Sequence, residues 1–154
     1  MSVLTAALKS LEQAVVFFEK DLEALSEEQI LNAPMGSARK PVDFVYETAL
    51  VNLQIRARIV GETPPQGVED GWEVAPAELC SKAAIAAYYK SSSDALLESI
   101  RSIPVTDGDR LIPGSRGDRP LFEVVYFIGM HNMYHDAQLN YVQELNGDLE
   151  MHWF

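Results

Sequence analysis

The stretch HNMYHDAQLNY, His131–Tyr141, holds two of the chain's three histidines one helical turn apart. On a helical wheel Val124, Ile128, His131, His135, Gln138 and Val142 recur at alternating spacings of four and three, a heptad-like inner stripe. Both histidines therefore stand where a helical bundle wants leucine. Helical neighbours at i and i+4 have Cβ atoms roughly 5–6 Å apart, so two imidazoles there can converge on one ion. The competing reading is a pair of hydrogen-bonded core histidines, the common state of a lone histidine on an apolar face.

Outward from that helix, the pattern repeats. Val3/Leu4, Ala7/Leu8, Leu11, Val15, Phe18 and Leu22 predict a helix from Ser2 to about Leu25. SEEQILNAPMGSARK then reads as turn. Pro41 suits the first turn of a second helix, which runs to about Val60 and stops before GETPPQG. A third is expected to open near Pro76 and stop at Pro104, and a fourth to run from near Pro120 to about Asn146, with Gly147 as its cap. Strand alternation, internal repeats and low-complexity tracts are absent. Four amphipathic helices in 154 residues predict an all-α, four-helix-bundle domain spanning residues 1–154. The connections GETPPQGVEDGWEVA and PVTDGDRLIPGSRGD exceed the roughly 2–8 residues of a simple bundle loop. At least one should be a crossover along the bundle, and such loops can carry a lid.

Composition narrows the partners. With 23 acidic against 12 basic residues the net charge is -11, which repels a polyphosphate backbone and an anionic membrane surface. A small-molecule substrate or a protein partner stays open. No apolar run is long enough to span a bilayer, and the N-terminus MSVLTAALKSLEQ lacks the marks of a signal peptide. The single cysteine, Cys80, allows no internal disulfide and suits a reducing cytoplasm.

The second helix repeats the anomaly of the fourth. Phe44, Val51, Ile55 and Ile59 form its inner stripe, and Glu47 falls on the same line. A buried carboxylate is unfavourable by several kcal/mol unless neutralised. A divalent cation would satisfy Glu47, His131 and His135 together; a Glu–His hydrogen bond across the core is the metal-free alternative. His152, in the tail GDLEMHWF, competes as third ligand, but a terminal tail must be docked to serve, so Glu47 ranks above it. Gln138 can orient a ligand or sit as a core amide. Tyr134 can donate a proton or simply pack. Asp136 points away from the pair and is expected in solvent. Arg58, Arg116 and Arg119 could greet an anionic substrate but read better as surface charge, and Cys80 reads as structural. HExxH, paired Glu-x-x-His motifs, a Gly-rich phosphate loop and GxSxG are all absent, and the Arg-Gly-Asp of GSRGDRP reads as a turn.

KPVDFVYETALVN and HNMYHDAQLNYVQ resemble the DinB/YfiT-like superfamily of metal-dependent bundles over nearly the whole chain. The resemblance implies crossover connections, a homodimer, and a divalent metal (zinc, nickel, iron or manganese) held by a second-helix histidine and a fourth-helix HxxxH pair. That pair falls on His131 and His135. The second-helix position, counted from Lys40-Pro41, falls on Glu47, a departure from three histidines to two and a carboxylate. Characterised relatives imply a thiol-dependent S-transferase or hydrolase acting on a small electrophile, with a low-molecular-weight thiol as cofactor. The alternative is a non-catalytic metal-binding or vestigial bundle acting through dimerisation or a protein partner. Coordination separates the two: catalysis needs open positions, whereas a structural site closes with four protein ligands.

Overall fold

The computed structural model describes residues 1–67 and 72–154. Its helices are α1 (Val3–Ala24), α2 (Glu27–Leu31), α3 (Pro41–Val60), α4 (Lys82–Arg101) and α5 (Leu121–Leu145). A two-residue ladder, β1 (Leu111–Ile112) with β2 (Arg119–Pro120), pairs antiparallel just before α5.

Local chemistry sets most boundaries. Ser2 caps α1 by accepting from Thr5 N at 3.1 Å, and Pro41 opens α3 where its missing N–H is harmless. The end of α5 is closed by a left-handed Gly147 (φ 85°), with Gly147 N donating to Glu144 O and Asp148 N to Gln143 O. Two expectations change. SEEQILN is not simple turn: Ser26 and Gln29 form a reciprocal capping box that opens α2 and seats Ile30 in the core. The third long helix does not run continuously from Pro76. A short 3-10 turn at Ala77–Leu79 breaks off at Cys80, and Ser81 caps a fresh start by accepting from Ala84 N at 3.1 Å.

Contacts fix the topology as up-down-down-up. Leu11 meets Gly129 and Asp21 meets Gln143, so α1 and α5 run parallel. Asn52 bonds Ser93 while Tyr46 stacks on Tyr88, so α3 and α4 also run parallel. Glu12 to Arg101 and Glu47 to His135 set the two pairs antiparallel to each other. The connection after α3 is therefore the expected crossover, and α3 itself guides it back. Gln54 donates to Pro65 O and Gly67 O, Glu73 N donates to Glu47, and Ala75 N donates to Asp43. Gly67 (φ 116°) passes so close that a Cβ there would meet Leu50 at 2.8 Å. Residues 68–71 of this connection lie outside the described residues, so the lid reading is left with them.

A buried polar relay crosses the core. Tyr89 Oη donates to Asn132 Oδ1 (2.8 Å), Asn132 Nδ2 to Asn52 Oδ1 (3.0 Å) and to Ile128 O (2.8 Å), and Asn52 Nδ2 to Ser93 Oγ (3.1 Å). All four side chains are fully buried, so each bond replaces water that cannot enter. Replacing Asn132 by Leu strands Tyr89 Oη and Asn52 Oδ1 and should lower unfolding free energy by about 1–3 kcal/mol, read from urea midpoints. An unchanged midpoint would show the relay to be dispensable.

Candidate metal centre

Glu47 on α3 and His131 and His135 on α5 meet where the two helices pack antiparallel. One ligand-capable atom from each lies within 4.8 Å of the others, the sole such cluster of three His, Cys, Asp or Glu among the described residues. Glu47 and His135 are buried; His131 is half-buried and brings the cluster to the surface.

Glu47 and His135 are anchored from behind by hydrogen bonds. Glu47 Oε2 accepts from Arg39 Nη2 at 2.6 Å and from Glu73 N at 3.3 Å, leaving Oε1 turned toward His135 Nε2 at 3.5 Å. His135 Nδ1 bonds Gln138 Oε1 at 2.8 Å, so the proton of the neutral ring sits on Nδ1 and Nε2 keeps its lone pair. Gln138 in turn reaches Tyr134 Oη at 3.5 Å. Phe44 stacks on His135 and Phe127 on His131. Two lone-pair acceptors thus face one another across 3.5 Å, and His131 Nδ1 is buried with no hydrogen-bond partner. Two imidazoles and a carboxylate oxygen converge there. A divalent cation fits that donor set, two imidazoles and one carboxylate oxygen.

Electrostatics favour the deprotonated rings such a cation requires. Burial, then the neighbouring His135, lowers His131 to about 4 against the opposing pull of Glu47. Burial also lowers His135 to about 4; the Gln138 bond raises it, and the Arg39 charge pushes it down again.

The sequence reading missed Arg39 and Trp72. Arg39 also donates to Glu73 O (3.1 Å) and lies over the exposed Trp72 ring, 5.0 Å from its centre. Its one sequence signal was the need of a buried Glu47 for a countercharge. His152 stays outside the cluster, bonded to Asp148 at 2.9 Å, while its neighbour Trp153 stacks on Phe17. Arg116 and Arg119 are exposed, and Arg58 is half-buried on α3. Cys80, expected to be structural, is exposed at the break before α4, its Sγ near Pro76 O at 3.5 Å.

Asp136 is the clear correction: it is fully buried, not solvated. The wheel considered one inner face, but α5 is covered by α1 as well as by α3. Neither Asp136 oxygen meets a donor, and Asp21 faces it. Burial first and Asp21 second raise Asp136 to about 8, so near neutrality it holds its own proton and can share it with Asp21. Asp21 is held by Gln143 Nε2 and by Trp153 Nε1 at 3.0 Å.

The sequence matches the DinB superfamily over residues 10–139. The chain belongs to the DinB superfamily. A crystal structure of a conserved protein from Enterococcus faecalis is similar to this DinB-superfamily chain, with a TM-score of 0.71 at 16% identity, covering 94% of this chain and 97% of that one. That likeness speaks to the fold. No curated protein matches the sequence.

In metal-free protein the two kinds of buried acid pull oppositely with pH. The lowered histidines bind protons more readily when unfolded, so their contribution is lost as pH falls from about 6.5 through about 4. The raised Asp136 stabilises fully below its unfolded value of 3.8, and that contribution is lost as pH rises through about 8. The stability advantage of Asp136→Asn over the parent should therefore grow between pH 4 and 8, followed by thermal midpoints. A difference independent of pH would rule out the retained proton.

Proposed function

We propose that the chain is a metal-dependent enzyme that binds one divalent ion through Glu47, His131 and His135 and acts on a small electrophile, as a thiol-dependent S-transferase or a hydrolase. The observation that carries this reading is the convergence of two imidazoles and a buried carboxylate within 4.8 Å, with His131 Nδ1 left without a hydrogen-bond partner. Zinc, nickel, iron and manganese all accept such a set. A bound divalent ion supplies Lewis acidity, lowering the pKa of a water or thiol toward neutrality.

The chain's own residues supply position and charge. Gln138 holds the His135 tautomer, and Arg39 with Glu73 N holds the Glu47 carboxylate so that one oxygen faces the histidines. Three protein donors leave room for exogenous ligands, and the half-buried edge at His131 gives a route in. Tyr134, exposed beside His135, stands where it could give a proton to a leaving group. No helix among the described residues is long and apolar enough to cross a membrane. The net charge of -11 favours a small substrate over nucleic acid, and we place the protein in the cytoplasm as a homodimer.

One observation favours the non-catalytic alternative. Arg39 already neutralises Glu47 at 2.6 Å, so the carboxylate is tolerable in the core with no metal. Metal content of untagged protein by inductively coupled plasma mass spectrometry decides between them. We expect about one divalent ion per chain in the parent, loss in Glu47→Ala and His135→Ala, and affinity about 10–100-fold weaker in Gln138→Ala. Thiol-transfer and hydrolysis screens follow on the loaded protein. A parent that stays empty after adding each of the four metals would sink the enzyme reading.

A further inference from the structure

Arg39 makes its structural bonds through a single nitrogen. Nη2 donates to Glu47 Oε2 at 2.6 Å and to Glu73 O at 3.1 Å, which ties the returning crossover to the carboxylate. Nε and Nη1 meet no acceptor among the described residues, and 16% of the side chain stays open to solvent. A lysine would serve that tether as well, since one ammonium can meet a carboxylate and a carbonyl together. What arginine adds at this position is a free set of donors. One face of the guanidinium is covered by the Trp72 ring, 5.0 Å from its centre. Trp72 is itself 74% exposed, and Arg39 is its one ring contact among the described residues. A large ring so open gains little from burial, so packing does not account for its place. Laid on a cation, it keeps water from one face and strengthens that cation's hold on an anion.

We infer that the small electrophile acted on at this centre carries a carboxylate, held by the free donors of Arg39 beside the Trp72 ring. Only Glu47 stands between Arg39 and the histidines: one of its oxygens takes Nη2, and the other faces His135 Nε2 at 3.5 Å. The ion would take the thiol or the water, which leaves Arg39 for the partner that is attacked. A chain with a net charge of -11 repels small anions in general, so a site for one must carry its own cation. An aromatic wall with a few placed donors is also the usual make-up of a small-molecule site.

The inference rests on the metal-dependent reading above and names the class of its substrate. Arg39 is here a binding residue, neither a ligand of the ion nor a carrier of protons. It sets specificity through the cost of a mismatch. A neutral analogue would displace water from the guanidinium edge without replacing the charge it faces, and so would be disfavoured.

The test is titration calorimetry with benzoate and its neutral isostere benzamide, on zinc-loaded and on metal-free protein, with zinc content and circular dichroism on the same samples. Benzoate should bind the loaded parent about tenfold or more tighter than benzamide, the scale of one charge-assisted hydrogen bond. Arg39→Lys keeps a cation for Glu47, so it should keep helicity and zinc while losing most of that preference. Trp72→Leu should weaken benzoate about two- to fivefold. Equal binding of the two probes by the loaded parent overturns the inference and leaves the metal centre standing. A full preference for benzoate in folded, zinc-bound Arg39→Lys also overturns it, since the carboxylate would then sit on the ion and Arg39 would be a tether alone. A parent that takes no zinc overturns the metal-dependent reading instead, and the same parent-to-variant comparison on metal-free protein then decides the carboxylate site. Two thiols separate the sources of the carboxylate. Benzoate should bind unchanged beside 2-mercaptoethanol and beside mercaptoacetate; displacement by mercaptoacetate alone would give the carboxylate to the thiol and overturn its assignment to the electrophile.

Discussion

The structure turns on one buried carboxylate. Glu47 sits on the inner face of α3, where an uncompensated charge would be unfavourable by several kcal/mol. Its two oxygens divide the solution. Oε2 takes the Arg39 guanidinium and the Glu73 amide, and Oε1 is left to the histidines of α5. The first arrangement ties down the segment before α3 and the chain returning after it; the second faces α5. One side chain thus links the crossover, the helix pair and the candidate centre. The neighbouring polar positions extend the same device, since Gln54 and Asp43 hold the returning chain on either side of Glu47. A crossover alongside a parallel helix would otherwise leave backbone donors and acceptors against an apolar surface.

The second organising fact is that α5 has no single buried face. His135 faces α3, while Gly129, Asp136 and Gln143 face α1, where Gly129 lets the backbones approach: a Cβ there would sit 3.5 Å from Leu11 Cα. Asn132 lies between, inside the polar relay. A helix flanked by two parallel or antiparallel neighbours on adjacent sides needs polar groups satisfied in two directions. That is why polar residues crowd this helix and why amphipathic periodicity describes it poorly.

Those two facts explain what could be read from the sequence. The long helices were legible because prolines, capping serines and Gly147 mark their ends and because Phe44, Val51, Leu11 and Phe18 keep a 3.6-residue period. Glu47, His131 and His135 were legible as a group because each interrupts such a period with a group that core burial penalises. The capping box of α2 is equally local, but its five residues give no period to see. Other features were beyond local reading. Arg39 approaches Glu47 from a loop, with no spacing rule to connect them. Burial of Asp136 cannot be seen on a wheel, which shows one helix and not its second neighbour. Its partner Asp21 is equally hidden from such a reading: the two residues, 115 positions apart, are brought together only by the parallel packing of α1 on α5.

The charge pattern of the interior bears on the chemistry proposed for the centre. Burial holds His131 and His135 unprotonated and Asp136 protonated, so all three are neutral near pH 7. The Arg39 and Glu47 charges cancel each other. At the centre itself the histidines are thus neutral, and the one carboxylate facing them is already paired with Arg39. A two-His, one-carboxylate set without Arg39 would halve the charge of a divalent ion; with Arg39 in contact that compensation is spent within the protein. The remaining positive charge is most readily met by an anion from solution, in a site whose low dielectric strengthens the attraction. Arg39 thus stands in both readings of the centre: it makes Glu47 tolerable with no metal, and beside a bound divalent ion its charge would favour an anionic ligand.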